Sequence, residues 1–124
     1  MPTLSVIFQY RLGNCAGKSA VGVMVSFGAN AATPPHRHGG AAVAAYVLEG
    51  ALVNAMNDEP ARVVPAGGSW YEAPGCHHRV SDNRSATEPA RLLAVFVVDT
   101  AVVEQGGLEA LVQIDEEYRD VLRA

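Results

Sequence analysis

Charge is the first thing this sequence has little of. Only 18% of its 124 residues are Asp, Glu, Lys or Arg, against about a quarter in an ordinary globular domain. Lys18 is the sole lysine, the net charge is −4, and no run of basic residues occurs. The electrostatic footprint of a nucleic-acid binder is therefore missing. No apolar run reaches the roughly 18 residues that a membrane-spanning helix needs, so no membrane partner is expected. Residues 1–11 lack the charged start and long apolar stretch of a secretion signal, which makes a cytoplasmic location the expectation. Cysteine is scarce as well. Cys15 and Cys76 form no C-x-x-C pair, which excludes a zinc knuckle, and two free thiols are expected. The motifs G-x-S-x-G and H-E-x-x-H are absent too. The stretch from Gly13 to Lys18 has three residues between its glycines where a phosphate loop needs four. A β-alternating segment follows it rather than a long helix, so it reads as a hairpin connection.

Apolar residues, by contrast, make up 49% of the chain, enough to fill the core of one domain. Their arrangement has period two. In residues 20–27 the alternation Val21, Val23, Val25, Phe27 is clean, and residues 3–10 are rich in Val, Ile, Phe and Tyr. Further short apolar segments follow at 41–48, 51–56, 61–64, 69–72, 77–81 and 91–98, separated by Gly, Pro, Asn and Asp. Strands at about ten-residue spacing predict an all-β antiparallel barrel or sandwich over about residues 4–99. Residues 82–89 read as a polar loop. The remaining segment, about 100–124, changes character. Gly106-Gly107 reads as a break, and Ile114, Tyr118, Val121 and Leu122 form a helical stripe. With Asp115, Glu116 and Glu117 before it and Arg119 and Arg123 towards its end, the charges suit a helix dipole. A low-charge, apolar surface is most simply explained by burial in a homodimer.

All four histidines lie in two stretches. The first is Pro34-Pro35-His36-Arg37-His38-Gly39-Gly40. The second, residues 67–83, reads GGSWYEAPGCHHRVSDN. On a strand, His36 and His38 share a face, and a second strand could add His78 or His77 to make a three-nitrogen metal site. Imidazole suits Fe, Mn, Ni, Cu and Zn, so a divalent transition metal is the expected cofactor. Arg37 and Arg79 should point away from it.

These two stretches resemble the paired motifs of the cupins, small antiparallel β-barrels of double-stranded β-helix (jelly-roll) type with a metal near the centre. In the first motif, G-x5-H-x-H-x3,4-E-x6-G, His36, His38 and Gly50 match. In the second, G-x5-P-x-G-x2-H-x3-N, Gly67, Gly75 and His78 match. The motif glutamate falls on Val43, the first glycine on Asn30, the proline on Ala73 and the asparagine on Asp82. The resemblance implies a single cupin domain over 1–124 with a short C-terminal helix, and the metal ligands His36, His38 and His78. It also implies a small-molecule substrate. Valine cannot bind metal, so the carboxylate of the usual set is missing. A three-histidine set is similar to those of cysteine dioxygenase and the diketone-cleaving dioxygenases. The leading expectation is a metal-dependent dioxygenase. A metal-dependent isomerase, decarboxylase or lyase, a non-catalytic ligand-binding cupin, and a barrel that has lost its metal are the alternatives. The expected surroundings of the metal are Val43, Cys76, His77 and Tyr71, with Trp70 as a further aromatic candidate; Tyr46 lies on the face opposite Val43 by alternation and is expected in the core or an interface. Glu72 is a candidate acid–base group or acceptor for a ligand imidazole.

Overall fold

A computed structural model describes residues 1–123, with side chains through Arg119. The strands in chain order are β1 (Thr3–Arg11), β2 (Lys18–Phe27), β3 (Ala32–Thr33), β4 (His36–Arg37), β5 (Ala42–Glu49), β6 (Ala51–Met56), β7 (Arg62–Pro65), β8 (Ser69–Glu72), β9 (His78–Asn83) and β10 (Ala90–Asp99). Helix α1 (Thr100–Leu111), strand β11 (Gln113–Ile114) and helix α2 (Glu116–Arg123) complete the chain. One antiparallel sheet has the order β1-β2-β10-β5-β8. The other has the order β11-β4-β9-β6-β7, with β3 also paired to β9. This is the all-β antiparallel arrangement that the alternation predicts, in the jelly-roll form that the motif resemblance implies.

The inward residues of the first sheet follow directly from the period-two pattern. Val21, Val23, Val25 and Phe27 on β2, Val43, Ala45 and Val47 on β5, and Leu92, Ala94, Phe96 and Val98 on β10 are all buried. Leu52, Val64 and Trp70 meet them from the other strands. Burying each large aliphatic side chain stabilises the fold by about 1.5–3 kcal/mol. β10 pairs with β2 along its whole length, from Ala90 opposite Phe27 to Asp99 opposite Lys18, and with β5 on its other side. β10 is thus a central strand, as its apolar sequence predicts. Lys18 is spent on an ion pair with Asp99 at the end of that ladder.

Two parts depart from expectation. β9 runs on to Asn83, into the segment read as a loop, because residues 81–83 pair with β6 and β3. The tail departs further. Gly106 and Gly107 lie within the span of α1, and Gly107 is non-helical (φ 59°, ψ −150°), so the break read there is present, with helical turns on both sides of it. Ile114 belongs to β11 and pairs with His36, so it is not part of a helical stripe. Val121, Leu122 and Arg123 lie outside the residues whose side chains are described. No helix among the described residues is long and apolar enough to cross a membrane.

The tail thereby becomes a strap across one end of the barrel. Leu111 is fully buried, β11 adds itself to β4, and the Asp115 N–H donates to the Pro35 carbonyl at 2.9 Å. Gly39 permits this close approach. Its φ is +62°, and a Cβ there would lie 2.2 Å from the Ala110 carbonyl oxygen.

Candidate metal centre

His36 opens β4 and His78 opens β9, and these two residues are direct register partners. Pro34-Pro35 holds the approach to β4 extended. His38 follows two residues after His36 and so returns to the same face. One side-chain nitrogen from each of His36, His38 and His78 lies within 4.8 Å of the others. All three residues are buried. The expected set is therefore brought together.

The other nitrogen of each ring is tethered outward. His36 Nδ1 donates to the Pro34 carbonyl at 2.8 Å, and His38 Nδ1 to the Leu111 carbonyl at 2.8 Å. His78 Nε2 donates to Asn54 Oδ1 at 2.6 Å. A carbonyl oxygen can only accept, so each tether carries the ring proton and leaves the inward nitrogen as a lone pair. Outward tethering of this kind is how metal-binding imidazoles are fixed in tautomer and orientation. His78 Nδ1 is fully buried and has no hydrogen-bond partner. An orphaned acceptor beside two more inward lone pairs suits a cation with nitrogen-preferring chemistry, and the residues fit a divalent transition ion. Burial lowers His36 to about 3 and His78 to about 4. Both are neutral near pH 7, the form that binds metal.

Glu72 joins this group from β8. It is 3% exposed. His38 Nε2 lies 2.9 Å from its Oε1, and the Trp70 indole N–H donates to its Oε2 at 3.1 Å. Burial alone would raise its carboxyl pKa. The close His38 ring, then His78 and the Trp70 N–H, together outweigh that and hold it below the usual range.

The cavity beside the cluster is about 40 Å³, room for an ion and little more. Its wall is apolar, with Val23, Val25, Val43, Leu92 and Phe96 on one side and Val112 of the strap on another. Val43 is thus placed in the pocket as expected, and so is Trp70. The other three pocket candidates are not. Tyr71 is 64% exposed because alternation on β8 turns Trp70 and Glu72 inward and Tyr71 out. Tyr46 is also exposed, on the same outer face. Cys76 precedes the start of β9, so strand alternation does not carry it to His78's face, and it is absent from the cavity wall. Burial raises its thiol pKa, with a smaller contribution from Glu72. His77 turns away to pair with Asp115 Oδ2 at 2.8 Å, tying the strap to the barrel. Arg37 and Arg79 point outward as expected, the latter onto the carbonyls of Asn57 and Glu59. Asn54 and Leu111 were not among the expected participants. Asn54 had a signal: it is the one polar residue at an inward position of 51–56, between Leu52 and Met56.

A jelly roll with three converging imidazoles at one end defines a class of small β-barrel suited to holding a transition ion. The chain belongs to the cupins: the cupin-domain family model matches residues 23–96. No curated protein matches it significantly. Among solved structures, it is similar to an uncharacterised double-stranded β-helix protein of Klebsiella pneumoniae. The TM-score is 0.65 at 19% identity, covering 81% of this chain and 79% of that one. The DMSP lyase DddQ of Ruegeria pomeroyi gives 0.63 at 19% identity, covering 80% and 48%. An oxalate oxidase in complex with glycolate gives 0.56 at 22%, covering 85% and 57%. At these identities the likeness is one of fold, and the chain spans about half the length of the lyase and the oxidase.

Proposed function

We propose that the protein is a metal-dependent enzyme acting on a small organic molecule, with His36, His38 and His78 holding one divalent transition ion. The observation that carries this is the convergence of three buried imidazole lone pairs, each fixed by an outward tether. Such an ion would supply Lewis-acid polarisation of a coordinated oxygen and positions for a further reactant. The chain's own residues set the rest. The apolar wall excludes water and offers no lysine or arginine to an anionic group, so a substrate would be oriented by its donor atoms at the metal and its carbon body against Val43 and Phe96. The strap limits size. A substrate larger than a few atoms requires part of the wall, such as Val112, to move.

Within this reading, oxygen-dependent cleavage is the leading reaction class. It is supported by the three-histidine set and by the fold shared with an oxalate oxidase. A metal-assisted lyase or isomerase is its rival, supported by the fold shared with a DMSP lyase and with a putative mannose-6-phosphate isomerase. The small cavity favours a third reading, a barrel that binds its ligand without turning it over. A homodimer is supported by the outer face of the β1-β2-β10-β5-β8 sheet. That face spans about 19 Å from its first strand to its fifth and carries exposed Tyr46, Tyr71 and Val97. The test is metal analysis after purification in unchelated buffer, followed by oxygen uptake with diketones, catechols and thiols. One equivalent of metal and substrate-dependent uptake are expected. Protein that takes up none of Fe, Mn, Ni, Cu or Zn would overturn the reading. Fully iron-loaded protein without oxygen uptake would transfer it to the lyase or isomerase class.

A further inference from the structure

We propose that Glu72 is a fourth protein ligand of the metal, so that β8 delivers the carboxylate missing from β5 at Val43. The inference rests on the three-histidine reading and gives Glu72 a ligand's role in place of an acid–base one.

Register is the first support. Val43 and Glu72 are direct partners across the β5–β8 ladder. Opposed residues of an antiparallel pair face the same side with Cβ atoms about 4.5–5.5 Å apart. Both line the same cavity, and both are buried. A glutamate on either strand can therefore bring its oxygen to nearly the same point. Loss of the carboxylate at one position is compensated across the ladder, which motif matching along the chain cannot register.

Hydrogen-bond accounting is the second support. His38 Nδ1 gives its proton to the Leu111 carbonyl, so in a neutral ring Nε2 is an acceptor. A carboxylate oxygen is an acceptor as well, yet Glu72 Oε1 lies 2.9 Å from that Nε2. His78 Nδ1, a third acceptor, lies 3.3 Å from the same oxygen and makes no hydrogen bond. Three acceptors that meet in a buried place need a proton or a metal ion among them. One proton satisfies the His38–Glu72 pair and leaves His78 orphaned. A metal ion satisfies all three and His36 with them.

The spacing agrees. Bonds of about 2.0–2.2 Å place neighbouring ligand atoms roughly 2.8–3.6 Å apart, from octahedral to tetrahedral angles, a range that contains the 2.9 and 3.3 Å separations. Trp70 holds Oε2, leaving Oε1 to bind through one oxygen. Charge points the same way. Three neutral imidazoles leave a buried ion with its full double charge, and one carboxylate halves it. Adding one oxygen to three nitrogens widens the set towards harder ions such as Mn.

The experiment uses Co(II) as probe, measuring affinity by chelator competition and coordination by visible absorption. Native protein is compared with E72Q and with the swap V43E/E72V. The expected result is at least a tenfold loss of Co(II) affinity and altered absorption bands in E72Q. The swap should recover affinity to within a few-fold of native, with native-like bands. Native bands and affinity in E72Q would overturn the proposal and leave the three-histidine reading standing. A folded swap as weak as E72Q would overturn it too, since the two register positions would not be equivalent. Native protein that binds no Co(II) would overturn both together. Should E72Q fail to fold by circular dichroism, the swap decides alone, through the presence or absence of native-like bands.

Discussion

Replacing Asn54 by alanine removes the acceptor that orients His78. The hydrogen bond is short, 2.6 Å, and both residues are 3% exposed. Water cannot reach the freed His78 Nε2–H without a new opening. A buried donor left unsatisfied costs about 1–3 kcal/mol. For a chain of this length each kcal/mol moves Tm by roughly 3–6 °C, so metal-free N54A should melt roughly 3–18 °C below native protein. The effect on metal is separate. Without the tether the ring can rotate, the proton can move to Nδ1, and the inward lone pair is lost for part of the time. Removing an outer partner of a ligand imidazole typically weakens metal binding 10–100-fold. The assays are a thermal melt in chelator and a chelator competition for Co(II). N54D is the control, because it keeps an acceptor at the same place and should bind Co(II) more tightly than N54A. Native affinity in N54A, or N54D binding no better than N54A, would refute the tether.

Three further outcomes are expected. G39A should loosen the strap, because a Cβ would sit 2.2 Å from the Ala110 carbonyl at a φ of +62°; faster amide exchange at residues 111–115 checks this, and native exchange would contradict it. D115A breaks the half-buried pair with His77 and should cost no more than about 1 kcal/mol; a larger loss in a urea titration would mean the strap is held chiefly by that pair. In chelator, acidification should destabilise the protein. Burial holds folded His36 at about 3 and His78 at about 4, whereas both titrate near 6.5 once unfolded. The unfolded chain therefore binds more protons below about 6.5, and stability that is complete above that value falls by about 1.4 kcal/mol per unit per histidine as pH drops towards 4. The lowered Glu72 acts in the same direction, but only at the lower pH of carboxylate titration. Equal urea midpoints at pH 7 and pH 5 would contradict this.

Much of the barrel is legible because period-two alternation is local. Val21, Val23, Val25 and Phe27 declare their face without knowledge of their partners, and the same rule turns Tyr71 out and Trp70 in. His36, His38 and His78 are legible for a different reason: their spacing matches a pair of motifs. What the chain hides is register. Nothing near Glu72 in sequence says that it lies opposite Val43, since that pairing is set by the whole course of β5 and β8. The tail misleads through composition. Two adjacent glycines each disfavour helix by about 1 kcal/mol, and Gly107 is indeed non-helical, but helical turns lie on both sides of it, with Val103 and Leu111 buried. Ile114 fits a helical stripe by spacing, but β4 offers it an unpaired strand edge, and the ladder wins. Cys76 shows the sensitivity to element boundaries, since β9 begins two residues later at His78.

The most direct measurement is anomalous diffraction from crystals of the protein grown with Co(II). One strong peak is expected in the barrel, about 2.0–2.2 Å from His36 Nε2, His38 Nε2 and His78 Nδ1. A peak bound elsewhere, or an empty barrel in protein saturated with the ion, would contradict the metal centre.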